Sequence, residues 1–222
     1  RLLTHFARLV DQPGSREVQE AYLKKDLDFH QQTAEMAGVE RRLAKTIGLG
    51  VMYGMGYNKL ARELDLDPRE AKAMLQDFHT KVPFMKGMLE IVMNRANNKG
   101  VIRTLLGRKC RFDLWEPTSW GVHRALPLNQ AQSEYGMAIK RAGTYKALNR
   151  LIQGSAADQT KRAMVNVYDE LGIIPHIQVH DELNCSVKDE NEGKKVKEVM
   201  ENCVKLEVPS KVDINVGESW GG

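Results

Sequence analysis

Apolar positions recur at helical spacing along most of the chain. Asp67-Pro68-Arg69-Glu70 is a strong helix start, because Asp caps the helix, Pro fits the first turn and a carboxylate follows three residues after the cap. Pro83 and Gly100 limit the next helix. The pattern predicts helices at about 1–10, 40–53, 67–81, 83–98, 129–150, 154–170 and 190–206.

Shorter segments alternate as strands do. Residues 101–113 predict a β-ribbon that turns at Gly107, and residues 173–187 predict a hairpin with an acidic tip. Ile177 and Val179 fall on one face of this hairpin, so we expect packing to hold it. Residues 211–216 predict a last strand, and 115–128 an irregular stretch. The fold class is therefore α+β, a mostly helical lobe (1–128) followed by an α+β lobe (129–222).

Composition excludes several classes of protein. Of the 222 residues, 42% are hydrophobic and 28% charged, which is too apolar for a disordered chain. No apolar run approaches the roughly 18 residues of a membrane span. The three cysteines are scattered without a C-x-x-C pair, which argues against disulfides or a Cys-rich zinc site and favours a reducing cytosol. The net charge of +4 permits a polyanionic partner. Residue 1 is Arg and lies in a helical pattern without a cap, so we expect more chain upstream.

One helix face combines cations with an aromatic ring. Arg41, Lys45, Leu49 and Tyr53 are spaced by four residues and form a stripe on the helix predicted at 40–53. Such a stripe suits a nucleotide, because Arg and Lys bind phosphate and the apolar and aromatic residues contact sugar and base. An ordinary amphipathic helix with a solvated basic end remains the alternative.

Three further groups could carry chemistry. The hairpin tip His180-Asp181-Glu182 offers carboxylates to a hard cation such as Mg2+, or is simply an acidic turn. Asn149 and Gln153 share a helix face and could read base edges in the minor groove, or belong to a helix crossing. The cations around the Gly107 turn, Arg108 and Lys109 among them, could contact phosphates or be solvated.

Together these elements resemble the family A (polymerase I-like) DNA polymerases over essentially the whole chain. Arg41-x-x-x-Lys45 followed by Tyr53-Gly54 matches the fingers-helix motif R-x-x-x-K-x-x-x-x-x-x-x-Y-G. The remaining matches are Thr104 to Lys109 with T-L-L-G-R-[RK], Asn149 to Asp158 with N-x-x-[IV]-Q-G-[ST]-A-A-D, Gln178 to Glu182 with Q-V-H-D-E, and Asp28 to Ala34 with D-x-H-x-x-T-A.

The resemblance implies template-directed transfer of a dNTP to a primer 3′-hydroxyl by a two-metal mechanism with Mg2+. Residues 1–128 would be the fingers and 129–222 the C-terminal part of the palm. The partners would be primer–template DNA and dNTP, in the cytoplasm of a bacterium or a phage-infected cell.

Roles carry over only to matched positions. The resemblance implies that Arg41 and Lys45 bind the triphosphate and that Tyr53 stacks near the templating position. Asn149 and Gln153 would contact the primer–template minor groove. His180 would lie by the primer terminus, Asp181 would bind metal, and Glu182 would have a secondary role nearby.

The sequence also departs from the family pattern. Arg1 resembles the last residue of the family's D-Y-S-Q-x-E-x-R motif, whose metal-binding Asp would lie seven residues upstream. Leu49 replaces the common Phe or Tyr, at a position that influences sugar discrimination and fidelity, and resembles phage-type members. Tyr145 stands where many members have Arg, which affects one primer–template contact.

We therefore expect this chain, a fragment or a split subunit, to be inactive alone and to need the portion that supplies the first metal-binding Asp. The alternative is a non-catalytic subunit or remnant that binds nucleotide and DNA.

Overall fold

The structure, a computed structural model, describes residues 1–24, 28–119, 121, 124–217 and 219. The helices of these residues are Leu2–Leu9 (α1), Ser15–Lys24 (α2), Phe29–Ala37 (α3), Arg41–Met52 (α4), Tyr57–Leu64 (α5), Pro68–Lys81 (α6), Pro83–Lys99 (α7), Leu128–Tyr135 (α8), Ala147–Leu171 (α9) and Glu190–Asn202 (α10). The strands are Val101–Arg103 (β1), Lys109–Arg111 (β2), Leu114–Pro117 (β3), Leu126–Pro127 (β4), Ile139–Arg141 (β5), Pro175–Val179 (β6) and Glu182–Cys185 (β7).

The strands form three small antiparallel sheets. β1 pairs with β2, β3 lies between β4 and β5, and β6 pairs with β7. With helices making up most of the chain, this confirms the α+β class. No helix in the described ranges has the length and apolarity needed to cross a membrane.

Local signals fix several helix ends where the sequence predicts them. The Asp67 carboxylate accepts a hydrogen bond from the Arg69 amide at 2.7 Å, and the Glu70 side chain accepts one from the Asp67 amide, which completes a capping box. α7 ends at Gly100, which has a left-handed backbone. The predicted helices at 67–81 and 83–98 are confirmed.

The main hydrophobic core is built around α7. Phe84 and Met85 are fully buried there, and they share one cluster with residues of α1, α4, α6 and the start of α9. A second, smaller cluster joins Val167, Ile173 and Val196. The main core includes residues on both sides of position 128, and the division into lobes stays a prediction.

The region 128–171 differs from its prediction. α8 ends at Gly136, whose φ of +73° stops the helix, and a strand and a short 3₁₀ turn at Thr144–Lys146 follow. α9 then continues to Leu171 without the predicted break near 150–154. The predicted helix at 129–150 is therefore wrong in its second half.

Two further predictions, one of an irregular stretch and one of a strand, are wrong. The stretch 115–128 is not wholly irregular, since β3 and β4 pair within it, although Trp120, Val122 and His123 lie outside the described residues. Residues 211–216 form no strand. The Val212 amide donates to the Glu201 carboxylate at 2.8 Å instead of to a neighbouring strand.

Gly154 lies in the interior of α9, where glycine weakens a helix. A Cβ atom at this position would lie 2.7 Å from Cγ2 of Thr104, a buried residue that follows β1. The turn after β1 therefore approaches the helix backbone more closely than any side chain permits.

We expect Gly154→Ala to destabilise the protein by about 1–3 kcal/mol, because the clash outweighs the gain in helix propensity. Gly193→Ala in α10 is the matched control, since a Cβ there meets no atom within 4 Å. That variant should gain stability, by up to about 1 kcal/mol. Urea unfolding measures both, and equal shifts in the two variants would contradict a close contact at Gly154.

Candidate nucleotide and nucleic-acid site

α4 has two chemically different faces. Ala44, Ile47 and Val51 are buried against the core. The side chains predicted to form the stripe lie on the other side, where Arg41, Lys45 and Tyr53 are exposed and Leu49 is half-buried. The predicted stripe is therefore a surface of the folded protein, open to a ligand.

The Arg41 guanidinium at the start of this stripe already has an anionic partner. Its Nε and Nη2 atoms lie 2.8 and 2.7 Å from Oδ2 of Asp28. The other oxygen of Asp28 caps α3 by accepting hydrogen bonds from the His30 and Gln31 amides. The sequence indicates Asp28 only as part of a motif, because a pair of residues separated by thirteen positions leaves no periodic pattern in the chain.

These contacts determine the charge states near the stripe. Desolvation alone would raise the pKa of Asp28, but hydrogen bonds from Arg41 and the two amides hold it below its usual range. Burial lowers the pKa of His30, and the charges of Lys45 and Arg41 lower it further against the opposing effect of Asp28. The Nδ1 atom of His30 is buried without a hydrogen-bond partner. A neutral imidazole thus lies beside the cationic stripe.

The turn that follows α4 contacts the 3₁₀ turn that precedes α9. Gly54 has a φ of +71°, and a Cβ there would lie 2.5 Å from the Tyr145 carbonyl oxygen. This contact brings Tyr53 close to the 3₁₀ turn that leads into α9. Glycine is required at position 54 both for the turn and for the close approach.

The first turns of α9 carry the predicted carboxamides. Asn149 is half-buried and Gln153 is exposed, one helical turn apart on the same side. Arg150 is exposed between them, and its guanidinium lies 4.8 Å from the centre of the Phe112 ring. Donors and acceptors therefore face solvent next to the end of α4.

The turn after β1 is fastened to α9 by polar contacts. Arg108 donates from Nε to Oδ1 of Asp158 at 3.0 Å and from Nη2 to the Gly154 carbonyl at 2.7 Å. The Leu106 amide donates to Oδ2 of Asp158, and the Leu105 amide donates to the Ser155 hydroxyl. Arg108, predicted to contact DNA, thus has partners within the protein, although half of its side chain is exposed.

Asp158 is the buried carboxylate that these donors surround, with 6% of its side chain exposed. Burial alone would raise the pKa of Asp158, but hydrogen bonds from Thr104, Leu106 and Arg108 and the charge of Arg108 bring it below its usual range. This role of Asp158 is not predicted from the sequence. The available signal is that Asp158 directly follows four small residues, 154–157, on the helix.

Lys109 lies in β2 with its side chain exposed. With Arg103 and Arg111 on the same ribbon it forms a basic surface beside the start of α9. The assignment of Lys109 to DNA binding is compatible with this position and stays a prediction.

The acidic tip lies in a tight turn between β6 and β7. His180 has a φ of +54°, and its carbonyl accepts a hydrogen bond from the Gln178 side chain. Asp181 and Glu182 are exposed, and Glu182 accepts from Asn184 at 3.3 Å. The expectation that packing holds the ribbon along one face is wrong, because Ile177 and Val179 are 42% and 38% exposed and no described element covers them.

The described residues do not form a complete metal site. Among them, no three His, Cys, Asp or Glu side chains cluster in a way that could hold an ion. The Asp181 carboxylate fits one ligand position of a Mg2+ ion, and Glu182 lies next to it in the chain.

The surface of this α+β chain carries a cationic helix, a carboxamide face and an acidic hairpin tip. Residues 3–222 match the sequence model of DNA polymerase family A, and the chain belongs to this family.

Relatives and a solved structure agree. The chain is 38% identical to the DNA-directed DNA polymerase of Pseudomonas phage M6, over 87% of this chain and 31% of that protein. It is 32% identical to the thermostable DNA polymerase I of Thermus aquaticus, over 87% of this chain and 23% of that protein. The fold is similar, with a TM-score of 0.77 and 28% identity, to the POL domain of Pol1 from M. smegmatis in complex with DNA primer–template and dNTP.

This chain matches only part of each of these proteins. The structural match covers 99% of this chain and 37% of the mycobacterial one. The chain therefore spans between 23% and 37% of the length of these three proteins.

We expect Asp158→Asn to lower stability by about 1–3 kcal/mol at pH 7, because a buried amide replaces the charged partner of Arg108. The folded-state pKa of Asp158 lies below its usual range, so its contribution is complete above the unfolded pKa of about 3.9 and disappears as the pH falls further. The stability difference between wild type and variant should therefore shrink below about pH 4. Urea unfolding across this range measures it.

The control for this variant is Asp169→Asn on the same helix, where the side chain is exposed. It should change stability by less than about 0.5 kcal/mol at every pH. A constant difference between Asp158→Asn and wild type from pH 7 to pH 3 would show that the buried charge contributes nothing.

Proposed function

We propose that this chain is the nucleotide- and primer–template-binding part of a DNA-directed DNA polymerase that adds a dNTP to a primer 3′-hydroxyl. The observation that carries the proposal is the exposed stripe of α4, which offers Arg41 and Lys45 to phosphates and Tyr53 to a base. Membership of DNA polymerase family A supports it, as does the fold shared with a domain whose structure is in complex with DNA primer–template and dNTP.

Arg41 would exchange one anion for another when a nucleotide binds. Both members of the Arg41–Asp28 pair are about half exposed, and pairs of this kind hold their partners weakly. A triphosphate offers more negative charge than one carboxylate. The arginine is therefore oriented in advance without being strongly retained.

DNA would lie along the first turns of α9. Asn149 and Gln153 would contact the minor groove of the primer–template, and exposed Lys109 would contact phosphate. The contact of Gly54 with Tyr145 joins this face to the stripe on α4. Nucleotide and duplex would then meet near the contact between Gly54 and Tyr145.

Asp181 would bind catalytic Mg2+, with His180 by the primer terminus and Glu182 close by. Mg2+ held there would supply positive charge to an in-line displacement at the phosphate. The second carboxylate would come from the polymerase portion that carries the D-Y-S-Q-type motif. The residues described above would orient the dNTP and the duplex for this reaction.

A non-catalytic nucleotide- and DNA-binding subunit is the other candidate, because every proposed binding residue is present while a complete metal site is not formed by the described residues. Adding the complementary polymerase portion separates the two. Restored primer extension supports the polymerase, and DNA and nucleotide binding without extension supports the subunit.

Lys45→Ala should weaken dNTP binding about 10- to 150-fold in the assembled polymerase with primer–template present. The reason is the loss of one charge-assisted contact to the triphosphate, worth roughly 1.5–3 kcal/mol. Titration of dNTP against single-turnover incorporation gives the affinity.

Arg42→Ala is the matched control for Lys45→Ala. It removes an exposed cation from the same helix but outside the stripe, and so tests general electrostatic attraction. Similar losses in the two variants would mean that net charge, not a phosphate contact at Lys45, governs nucleotide binding.

Asp181→Ala should abolish primer extension by the assembled polymerase and leave stability and DNA affinity nearly unchanged, because an exposed carboxylate contributes little to folding. The 222-residue chain alone should show no extension at all. Extension rates within a few-fold of wild type in Asp181→Ala, or mainly a lower Tm, would assign the residue to the turn and not to metal.

A further inference from the structure

The segment that follows α10 crosses the protein without forming a helix or a strand. It comprises residues 203–210, all of which the structure describes, and we call it the strap. Val208 in the strap is 1% exposed and belongs to the main hydrophobic core, whereas α10 packs in the smaller cluster. The strap therefore connects the two clusters, and none of its residues has a role in the function proposed above.

α1 and α2 hold the strap from one side. Nδ1 of His5 accepts a hydrogen bond from the Glu207 amide at 3.0 Å, and the Gln19 side chain donates one to the Glu207 carbonyl at 2.7 Å. The guanidinium of Arg1, directly before α1, donates to the Pro209 carbonyl. These side chains thus satisfy three backbone groups of the strap that have no strand to pair with.

α9 holds the strap from the other side. The Gln159 side chain donates to the Ser210 hydroxyl at 2.6 Å, and the Cys203 thiol donates to the Gln159 carbonyl at 3.6 Å. Gln159 directly follows Asp158, whose carboxylate fixes α9 to the turn after β1. The strap is therefore a bridge from α1 and α2 to a part of α9 that is itself held in place.

His5 makes this bridge dependent on a proton. Its Nδ1 atom accepts a hydrogen bond from an amide, so the ring is neutral and carries its hydrogen on Nε2. His5 is 6% exposed; burial lowers its pKa, and the charge of Glu207 opposes this shift. On α1 itself, Arg1 and Arg8 lie about one turn away, where they contact the strap and Asp11 respectively. The glutamines that hold the strap from α2 and α9 carry no charge.

Under the proposed function, this bridge joins the elements next to both metal-binding carboxylates. α1 begins directly after Arg1, and the D-Y-S-Q-type motif would place its Asp seven residues before Arg1. α9 ends at Gly172 and leads into the hairpin that carries Asp181. A displacement of α1 relative to α9 would therefore change the separation of the two carboxylates, and small misplacements at a reacting centre cost much of the rate.

We propose that His5 is a positioning residue for polymerisation: its neutral imidazole fastens the strap and so holds α1 in place against α9, and protonation of the imidazole releases the strap. The proposal rests on the function proposed above. A protonated Nδ1 is a donor and would face the amide hydrogen of Glu207, so the contact does not survive protonation.

The direction of the pH dependence follows from the burial of His5. The folded-state pKa of His5 lies below its usual range. The stability that the contact with the strap contributes is therefore complete above the unfolded pKa of about 6.5, and it is lost as the pH falls through the lower folded-state pKa.

Hydrogen exchange of the Glu207 amide in the 222-residue chain, followed by NMR, reports the attachment directly. Relative to the intrinsic rate at each pH, exchange in the wild type should become about 3- to 10-fold faster between about pH 8 and about pH 4, which corresponds to the loss of one uncharged hydrogen bond. His5→Asn should keep the slow relative rate throughout, because the Asn amide oxygen takes the place of Nδ1 and does not titrate. His5→Leu should exchange fast at every pH.

His79→Leu is the matched control. Burial lowers the pKa of His79 as well, but its Nδ1 atom has no hydrogen-bond partner. In this variant the Glu207 amide should exchange as it does in the wild type. Thermal melting checks that each variant folds, and the comparison of wild type with His5→Asn decides the question by itself if His5→Leu does not fold.

The assembled polymerase tests the positioning role. His5→Leu should lower the maximal rate of single-turnover incorporation about 3- to 10-fold. The dNTP concentration that gives half of this rate should stay within about 2-fold of wild type, since the stripe on α4 is unchanged. His5→Asn should restore the rate, because it restores the acceptor.

The outcomes separate the strap, the positioning role and the proposed function. Relative exchange of the Glu207 amide that is constant with pH in the wild type, or that changes equally in His5→Asn, would overturn the inference. Fast exchange in His5→Leu together with an unchanged incorporation rate would refute the positioning role and leave the proposed function standing. Failure of the assembled wild type to extend a primer would instead refute the proposed function, and this inference with it.

Discussion

The close contact between α9 and the turn after β1 is the constraint on which the proposed binding surface depends. Gly154 removes the side chain that would separate the two elements, and the buried carboxylate of Asp158 then accepts hydrogen bonds from the turn and from Arg108. A buried carboxylate is stable only when donors surround it, so the turn and the helix require each other. The same helix presents Gln153 and Asn149 five and nine residues before Asp158. The contacts of Asp158 with the turn therefore also fix where these carboxamides lie relative to the basic ribbon.

α4 illustrates how a single helix can serve packing and recognition. Its buried side is made of small and branched residues that pack against α7, and the exposed side keeps its cations in water. Asp28 limits the rotamers of Arg41, yet an exposed ion pair is worth at most about 1 kcal/mol. The arrangement therefore reduces the entropy lost when a phosphate binds without creating a strong competitor for it.

The sequence predicts the elements whose signals are local. The capping residues of α6, the glycine that ends α7 and the alternation of the β6–β7 hairpin all act within a few residues. The sequence does not predict that α9 continues through Gly154. Glycine is needed there because of a close contact with Thr104, which lies fifty residues earlier in the chain. Arg108 is predicted to bind phosphate for a similar reason. Its partner Asp158 lies fifty residues later in the chain, so the sequence gives no local sign of the pair. Segment 211–216 has strand-like alternation, but a Glu201 side chain takes the place of a neighbouring strand.

The hairpin that carries Asp181 is anchored at its base and not along its face. Ile173 and Cys185 pack with Val167 and Val196 in the small cluster, whereas Ile177 and Val179 nearer the tip remain exposed. A two-stranded ribbon is marginally stable by itself, and support at one end leaves the tip exposed. A hard cation needs several oxygen ligands at fixed distances. Metal affinity at Asp181 should therefore depend as much on what covers the exposed face of the ribbon as on the carboxylate itself. The residues proposed to bind nucleotide and duplex, by contrast, lie on elements that the main core holds in place.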